Sequence, residues 1–296
     1  MKHALAGSFV ALPTPFAGDA LDTAALERLI EFHVREGSDG LVAVGTTGEG
    51  ATLSDYERRS VIELCVERSR GRLPVIAGVG TNNTAQSREL CRFAASVGAS
   101  AVLAVTPYYN RPTQRGLVAH FGALAEACEL GIVLYNVPAR TGCDLKPATV
   151  AEIRAAHPNV VAIKEASNSL PRARELRETS DIALIAGEDG LIAEFMGLGA
   201  IGVIGVVANI APRAVAELCR VARPGGDAVR TAELAAYLQP LVRDLFIETN
   251  PAPVKAALAL MELCSAQVRL PLVELEPANH ARLHASLSEA GLLRRK

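Results

Sequence analysis

Eight short apolar runs alternate with segments of helical periodicity, and this alternation constrains the fold more than any other feature of the chain. The runs, rich in Val, Ile, Leu and Ala, cover residues 8–12, 40–45, 74–78, 101–106, 132–135, 160–164, 182–186 and 201–206. Continuous apolar strands, as opposed to alternating ones, indicate a parallel sheet that is covered on both faces. Eight strand and helix units in about 225 residues match a closed barrel in number and size. We therefore predict an α/β fold, a (β/α)₈ TIM barrel over residues 1–225.

An open, doubly wound α/β sheet is the alternative fold. Such sheets usually carry a glycine fingerprint for a dinucleotide after the first strand. Gly78 and Gly80 follow a predicted strand, but Asn83 stands where the third glycine would be, and no acidic residue is suitably placed. The closed barrel is therefore favoured, and a nucleotide is not an expected ligand.

The pattern changes after Pro224, Gly225 and Gly226, which form a turn sequence. Beyond the turn the periodicity is wholly helical, and helices are predicted over residues 227–247, 253–263 and 277–290. Residues 250–253 are interpreted as a rigid turn that begins the second of these helices. Residues 226–296 are thus predicted to form a three-helix C-terminal appendage to the barrel.

Charge and hydropathy exclude several classes of function. The 30 Lys and Arg residues against 32 Asp and Glu leave a formal charge of −2, so neither nucleic acid nor an anionic membrane is an expected partner. The longest apolar run, residues 201–211, is shorter than the roughly 18 residues that span a bilayer. Pro13 and Pro15 interrupt the first apolar stretch, so we expect no signal peptide and a cytoplasmic location.

The cysteines and histidines do not predict a metal site. Six cysteines lie far apart without Cys-x-x-Cys spacing and are interpreted as reduced packing residues. His280 and His284 are four residues apart in a helical pattern, but no Glu follows His280 and no third ligand is near them in sequence. The pair is interpreted as solvated.

Lys164 is the leading candidate for a reactive group. It ends the apolar run of residues 160–164, at the carboxyl end of a predicted barrel strand, where barrel enzymes carry their functional groups. Burial there disfavours the ammonium form, and a free amine can attack a carbonyl to form a Schiff base. The alternative is a buried ion pair with Glu165, although adjacent strand residues point to opposite faces.

Other polar side chains follow neighbouring strands and are expected at the same rim. Tyr135 closes the fifth run, and a phenol can pass protons to and from an imine, directly or through a threonine hydroxyl. Arg140 follows the same run and can hold a carboxylate by two parallel hydrogen bonds. Taken singly, each can equally be a packing residue or a solvated charge. The further rim candidates are Thr46, Thr47, Tyr108, Tyr109 and Gly187.

Five motifs together resemble the dihydrodipicolinate synthase family of pyruvate-dependent class I aldolases. They are GTTGE at 45–49, TPYYNRP at 106–112, YNVPARTG at 135–142, IKEA at 163–166 and NPAPVK at 250–255. The resemblance implies that Lys164 forms an imine with pyruvate, whose enamine adds to the aldehyde carbon of L-aspartate 4-semialdehyde. It implies no metal and no cofactor.

The resemblance also implies roles for the rim residues. Thr46, Tyr135 and Tyr109 would form a proton relay, with Tyr109 contributed by a neighbouring subunit of a homotetramer built as a dimer of dimers. Thr47 would hold the carboxylate of pyruvate and Arg140 that of the semialdehyde. The lysine pocket would be lined by Gly187 and Ile204.

The chain departs from family members that are inhibited by lysine. Those members commonly present a His and a Glu in an interface pocket, at positions that correspond here to Arg58 and Gln86. Without the carboxylate, an ammonium ligand loses its partner. We expect weak or absent feedback by lysine, with Tyr108 and Asn82 as remnants of the pocket.

Two other functions stay open from the sequence. A sibling aldolase that cleaves a sugar-derived keto acid or sialic acid would share Lys164 and Tyr135, and is disfavoured by Arg140 and Thr46. A non-catalytic barrel that binds a keto acid as a sensor or scaffold would need no reactive amine.

Overall fold

The structure, a computed structural model, describes residues 5–293. Its strands are β1 (Gly7–Ala11), β2 (Phe16–Ala17), β3 (Ala20–Leu21), β4 (Gly40–Ala43), β5 (Val75–Gly78), β6 (Ala101–Val105), β7 (Gly131–Asn136), β8 (Val160–Glu165), β9 (Ala183–Ala186) and β10 (Gly202–Gly205). Eight of them close into a parallel barrel in the order β1-β10-β9-β8-β7-β6-β5-β4. The predicted (β/α)₈ barrel is confirmed.

Twelve α-helices occur in the described residues. They are α1 (Thr23–Glu36), α2 (Asp55–Ser69), α3 (Thr84–Ser96), α4 (Gln114–Ala125), α5 (Pro138–Thr141), α6 (Pro147–Ala156), α7 (Leu170–Thr179), α8 (Ile192–Gly197), α9 (Pro212–Val221), α10 (Ala228–Leu245), α11 (Ala252–Leu260) and α12 (Pro277–Glu289). Polar caps fix where the first two begin: Asp22 Oδ1 accepts a hydrogen bond from the Ala25 amide at 2.8 Å, and Ser54 forms a capping box with Glu57.

The barrel strands are buried on both faces, which explains their continuous apolar sequences. One face fills the interior of the barrel with side chains such as Phe9, Ile76 and Val133. The other face packs against the surrounding helices in a second, larger apolar layer. A parallel sheet sandwiched in this way has no polar face, so its strands lack alternation with a period of two.

Two short elements interrupt the strict alternation of strand and helix that the sequence predicts. Strands β2 and β3 form an antiparallel hairpin that turns at Gly18, whose φ is 61°. Helix α5 begins with Pro138 and ends at Gly142 in the left-handed conformation, with φ 66°. It follows β7 directly and therefore holds Arg140 at the carboxyl rim of the barrel.

The three predicted C-terminal helices are confirmed as α10, α11 and α12, with small differences at their ends. Helix α10 packs against α9 and α12, and α11 packs against α12. The division of the chain into residues 1–225 and 226–296 stays a prediction. Within residues 5–293, every helix is too short or too polar to span a lipid bilayer.

Candidate active site

Lys164 lies at the carboxyl end of β8, with its side chain in a cavity at the rim of the barrel. The residue is only 7% exposed. Its Nζ lies 4.4 Å from the centroid of the Tyr135 ring, and it makes no hydrogen bond or ion pair with any residue in the described range 5–293. The amine is therefore available to a ligand that enters the cavity.

Glu165, the alternative partner of Lys164, is bonded elsewhere. Its carboxylate is fully buried and accepts a hydrogen bond from Arg172 Nε at 2.8 Å. Asn136 Nδ2 donates to both carboxylate oxygens, at 3.2 and 3.3 Å. Because consecutive strand residues point to opposite faces, Glu165 bonds outside the barrel while Lys164 faces its interior. The Lys164–Glu165 ion pair does not form.

The register between β7 and β8 places Tyr135 directly opposite Lys164. Ile132 pairs with Val160, but the next residue of β7 pairs with Ala162, so the register shifts by one residue. An unshifted register would set Ile163, whose side chain faces the helices, opposite Tyr135. This bulge brings the phenol and the amine together.

Two adjoining compartments form the cavity. The inner pocket has a volume of about 60 Å³ and contains Lys164, and the outer chamber has a volume of about 320 Å³. Their shared wall consists of Gly45, Thr46, Leu103, Tyr135, Val137, Arg140 and Asn250. Most of the residues that the sequence places on the rim therefore surround one continuous space.

Thr47 and Arg140 are held by the same residue. Thr47 lines the inner pocket, and its Oγ1 accepts a hydrogen bond from Asn250 Nδ2 at 3.0 Å. Arg140 lines both compartments, and its Nη2 donates to the backbone oxygen of Asn250 at 3.3 Å. Asn250 thus ties the loop after β4 to the helix after β7.

Gly187 and Ile204 line the inner pocket together with Lys164. A Cβ atom at Gly187 would lie 2.6 Å from Ala166 Cβ and 2.7 Å from the Glu165 backbone oxygen. Only glycine allows β9 to approach β8 so closely at this point. Ile204, on β10, closes the pocket with a buried apolar side chain.

The two adjacent tyrosines of the loop after β6 take different places. Tyr108 lines the outer chamber. Tyr109 lines neither compartment, is 88% exposed and has φ 72°, so its ring points away from the site of its own chain. The structure therefore does not bring Tyr109 together with Tyr135 and Thr46 within one chain.

A buried ion pair fixes the loop that carries Thr46 and Thr47. Lys255 Nζ donates to Glu49 Oε1 at 2.5 Å, and both side chains are almost completely buried. Glu49 has φ 51°, and its second oxygen accepts from the Arg269 amide at 2.9 Å. Burial lowers the pKa of Lys255, and its bond to Glu49 opposes that effect. Lys255 lies on α11, as predicted, and serves the loop from there.

Residues 5–293 contain neither a cluster of metal-ligating side chains nor a disulfide bond. No group of three His, Cys, Asp or Glu side chains there could hold a metal ion. The six cysteines are free thiols. Burial raises the pKa of Cys65 and of Cys219 to about 12, which keeps both protonated and unreactive at neutral pH.

Comparison with known proteins identifies the family. Residues 4–290 match the model of the dihydrodipicolinate synthetase family. The chain belongs to this family. A curated relative, 4-hydroxy-tetrahydrodipicolinate synthase of Methylococcus capsulatus, is 48% identical over 290 residues, which cover 97% of this chain and 99% of the relative.

Solved structures of family members have the same fold. Dihydrodipicolinate synthase from Aquifex aeolicus superposes with a TM-score of 0.96 and is 42% identical, with 99% of this chain and 100% of that chain covered. The chloride-inhibited enzyme from Acinetobacter baumannii, solved in complex with pyruvate, gives a TM-score of 0.94 at 43% identity and covers 98% of this chain and 100% of its own. The resemblance drawn from the sequence motifs is confirmed.

The positions that the family resemblance links to inhibition by lysine line the outer chamber only in part. Arg58 lines the chamber with Tyr108, and its Nη2 donates to the Gly50 backbone oxygen at 2.6 Å. Arg58 Nε is buried without a partner in the described chain. Gln86 and Asn82 do not line the chamber. The chamber wall therefore presents the cation Arg58, and the residue at the expected carboxylate position, Gln86, is neutral and does not line the chamber.

The sequence analysis missed two residues of the site in this family member. Asn250 was assigned to a rigid turn, yet its side chain reaches Thr47 and lines both compartments. Glu188, which follows Gly187, lines the inner pocket and was not considered. The signal that could have identified Glu188 as a rim residue was its position just after β9, because the carboxyl ends of all barrel strands share one rim.

Proposed function

We propose that the protein condenses pyruvate with L-aspartate 4-semialdehyde through a Schiff base on Lys164, as a 4-hydroxy-tetrahydrodipicolinate synthase of cytoplasmic lysine and diaminopimelate biosynthesis. The amine of Lys164, buried beside Tyr135 and bonded to no carboxylate, is the observation that carries this proposal. The pyruvate held by the Acinetobacter baumannii relative supports the choice of the first substrate.

The chemistry starts with attack of Lys164 Nζ on C2 of pyruvate, and loss of water then leaves an imine. Loss of a proton from the methyl carbon gives an enamine, and this carbon attacks the aldehyde carbon of the semialdehyde to form the new carbon–carbon bond. The amino group of the added chain attacks C2, the ring closes, and Lys164 leaves as a free amine. The protonated imine accepts electrons when the methyl proton is lost and when the amino group attacks C2. In the bond-forming step the aldehyde oxygen accepts the electrons and a proton, so the proposed reaction uses no metal and no cofactor.

Side chains around the cavity supply proton transfer and charge. Tyr135 and Thr46 are assigned to the relay because both line the two compartments. Thr47, in the inner pocket with Gly187 and Ile204, is assigned to the carboxylate of pyruvate. Arg140 stands where the compartments join, and a guanidinium there suits the carboxylate of the second substrate.

The third member of the relay comes from another subunit in this proposal. Tyr109 is exposed, and the outer chamber beside Tyr135 and Thr46 is open. A second copy of the chain that inserts Tyr109 there would complete the relay, within a homotetramer built as a dimer of dimers. The two observations are complementary. Each chain has an exposed phenol, Tyr109, and an outer chamber that the Tyr109 of the same chain does not line.

Borohydride reduction in the presence of pyruvate tests the proposal. We expect a stable adduct on Lys164, found by peptide mass analysis, and turnover when aspartate semialdehyde is added. Lys164→Arg should abolish the adduct, whereas Lys146→Arg, at an exposed position before α6, should retain it. Failure to form an adduct would favour a keto-acid sensor. An adduct with turnover only of sugar-derived keto acids would favour a sibling aldolase.

A further inference from the structure

Glu188 lines the same inner pocket as Lys164 and Arg140, and none of the steps above uses it. It follows the end of β9 and immediately precedes a short 3₁₀ helix, Asp189–Leu191. Strand β9 pairs with β8 in the barrel. The ends of two neighbouring strands thus bring a carboxylate and the reactive amine to one side of the rim.

The carboxylate of Glu188 has no partner in the protein. No hydrogen bond or ion pair joins its half-buried side chain to another residue of the described chain. Burial, and then the charge of Asp189, raise the pKa of Glu188, while Lys164 and Arg140 act in the opposite direction. Keeping an unpaired carboxylate in a pocket is unfavourable for folding.

Asp189, the next residue, has a structural role, with which Glu188 can be compared. Its carboxylate accepts hydrogen bonds from the Val206 amide at 2.8 Å and the Val207 amide at 3.1 Å, and so fixes the end of β10. Glu188 makes no comparable contact. The residue lines the inner pocket, where substrate would sit, and its carboxylate bonds to no part of the surrounding framework within residues 5–293.

Two acidic side chains line the described cavity, and only one of them lacks a hydrogen-bond or ion-pair partner within residues 5–293. Glu49, in the outer chamber, is bonded to Lys255 Nζ and to the Arg269 amide. Glu188, in the inner pocket, is bonded to neither Lys164 nor Arg140. Of the carboxylates around the cavity in residues 5–293, Glu188 alone is free to bind a cationic group.

We infer that Glu188 binds the α-ammonium group of the second substrate and thereby selects an amino aldehyde over an aldehyde without that group. This inference rests on the proposed function. The semialdehyde brings one carboxylate and one ammonium into the cavity. Arg140 suits the carboxylate, and an ammonium that leaves water needs an anionic partner to offset its lost hydration. A charge-assisted bond to Glu188 supplies that partner.

The test compares two aldehydes that differ only in the amino group. The KM is measured for aspartate 4-semialdehyde. The inhibition constant is measured for succinate semialdehyde as a competitor of aspartate 4-semialdehyde. In Glu188→Gln, which keeps the shape of the side chain, we expect the first constant to rise by about tenfold or more and the second to change by less than about twofold. Glu194→Gln, an exposed position on α8, serves as the control and should change neither.

The remaining outcomes separate this inference from the proposed function. Equal changes for both aldehydes, or no change for either, would overturn the role of Glu188. So would loss of the borohydride-trapped pyruvate adduct in Glu188→Gln alone. Absence of that adduct in the unsubstituted protein would instead overturn the proposed function. The unsubstituted protein gives a second check, because it should bind succinate semialdehyde about tenfold more weakly than aspartate 4-semialdehyde.

Discussion

Asn250 donates a hydrogen bond from its Nδ2 to Thr47 Oγ1 over 3.0 Å, between residues 203 positions apart in the chain. Its backbone oxygen also accepts a bond from Arg140. Asn250, which lies just before α11, therefore orients a hydroxyl from the loop after β4 and a guanidinium from the helix after β7. The C-terminal helices take part in building the site and do more than support the barrel.

Replacement of Asn250 by Ala should weaken pyruvate binding. Thr47 loses the donor that sets its hydroxyl, and a buried neutral hydrogen bond contributes about 1 kcal/mol, so KM for pyruvate should rise by about five- to tenfold. Steady-state kinetics at saturating semialdehyde measure the change. Asn279→Ala removes a different side-chain bond, the one to Glu248 at 2.7 Å, and should leave KM unchanged. An equal effect of both variants would point to a general loss of stability.

Replacement of Tyr135 by Phe should slow imine formation while preserving the pocket. The ring stays opposite Lys164, but the hydroxyl proposed to transfer protons is lost, and a group in that role contributes about 10²–10⁴-fold in rate. Rapid-mixing measurements of pyruvate adduct formation give the rate directly. Tyr237→Phe, which loses only an exposed bond to the Ala290 backbone oxygen, is the matched control. Normal adduct formation in Tyr135→Phe would remove the phenol from the relay.

A mixture of two inactive variants should regain activity if Tyr109 acts across subunits. Lys164→Ala lacks the amine and Tyr109→Phe lacks the phenol. A hybrid assembly contains some sites in which the amine comes from one parent and the phenol from the other. Turnover is measured after the two proteins are unfolded and refolded together, with each refolded alone as the control. Tyr109→Phe with full turnover by itself would contradict the proposed relay.

L-Lysine should inhibit weakly or not at all. The chamber lined by Arg58 and Tyr108 offers an ammonium group no free carboxylate, and Arg58 repels it. A dose response of turnover against L-lysine is the measurement, and half-inhibition at submillimolar lysine would contradict the expectation. The paired substitution Arg58→His with Gln86→Glu, which introduces the residue types of lysine-sensitive relatives, should increase inhibition.

Stability between about pH 4 and pH 2 should depend on Asp244, which joins α10 to α12. Hydrogen bonds from Arg243, then Ser286 and Arg282, lower the pKa of Asp244 to about 2 against the opposing effect of burial. The unfolded group has a pKa of about 3.9, so the unfolded state binds more protons in this interval. The stabilisation is therefore complete above pH 4 and is lost as the pH falls through 2.

Thermal unfolding as a function of pH measures this contribution. Asp244→Asn should lower the unfolding temperature near neutral pH and flatten its dependence on pH below 4. Arg282→Met, which removes one donor at 2.7 Å from the carboxylate, should shift the transition to higher pH without abolishing it. A pH profile of Asp244→Asn parallel to that of the unsubstituted protein would contradict the assignment.

Much of the fold could be predicted because its signals are local. The continuous apolar strands and the helical periodicity between them arise from neighbours within a few residues, and they gave all eight barrel strands. The same reasoning predicted that Lys164, Tyr135 and Arg140 lie at one rim, since the carboxyl ends of parallel barrel strands share that rim. The two short interruptions, β2–β3 and α5, were missed because they lie inside loops.

The sequence by itself determined the barrel, the three C-terminal helices and the strand end on which Lys164 sits, because each follows from patterns along a short stretch of chain. Only the tertiary structure decided that Tyr135 stands opposite Lys164, which depends on a one-residue shift between β7 and β8. It alone showed that Asn250 reaches Thr47. Such contacts join segments that are far apart in the chain. Side-chain packing sets the relative positions of these segments, and no local repeating pattern in the sequence predicts that packing.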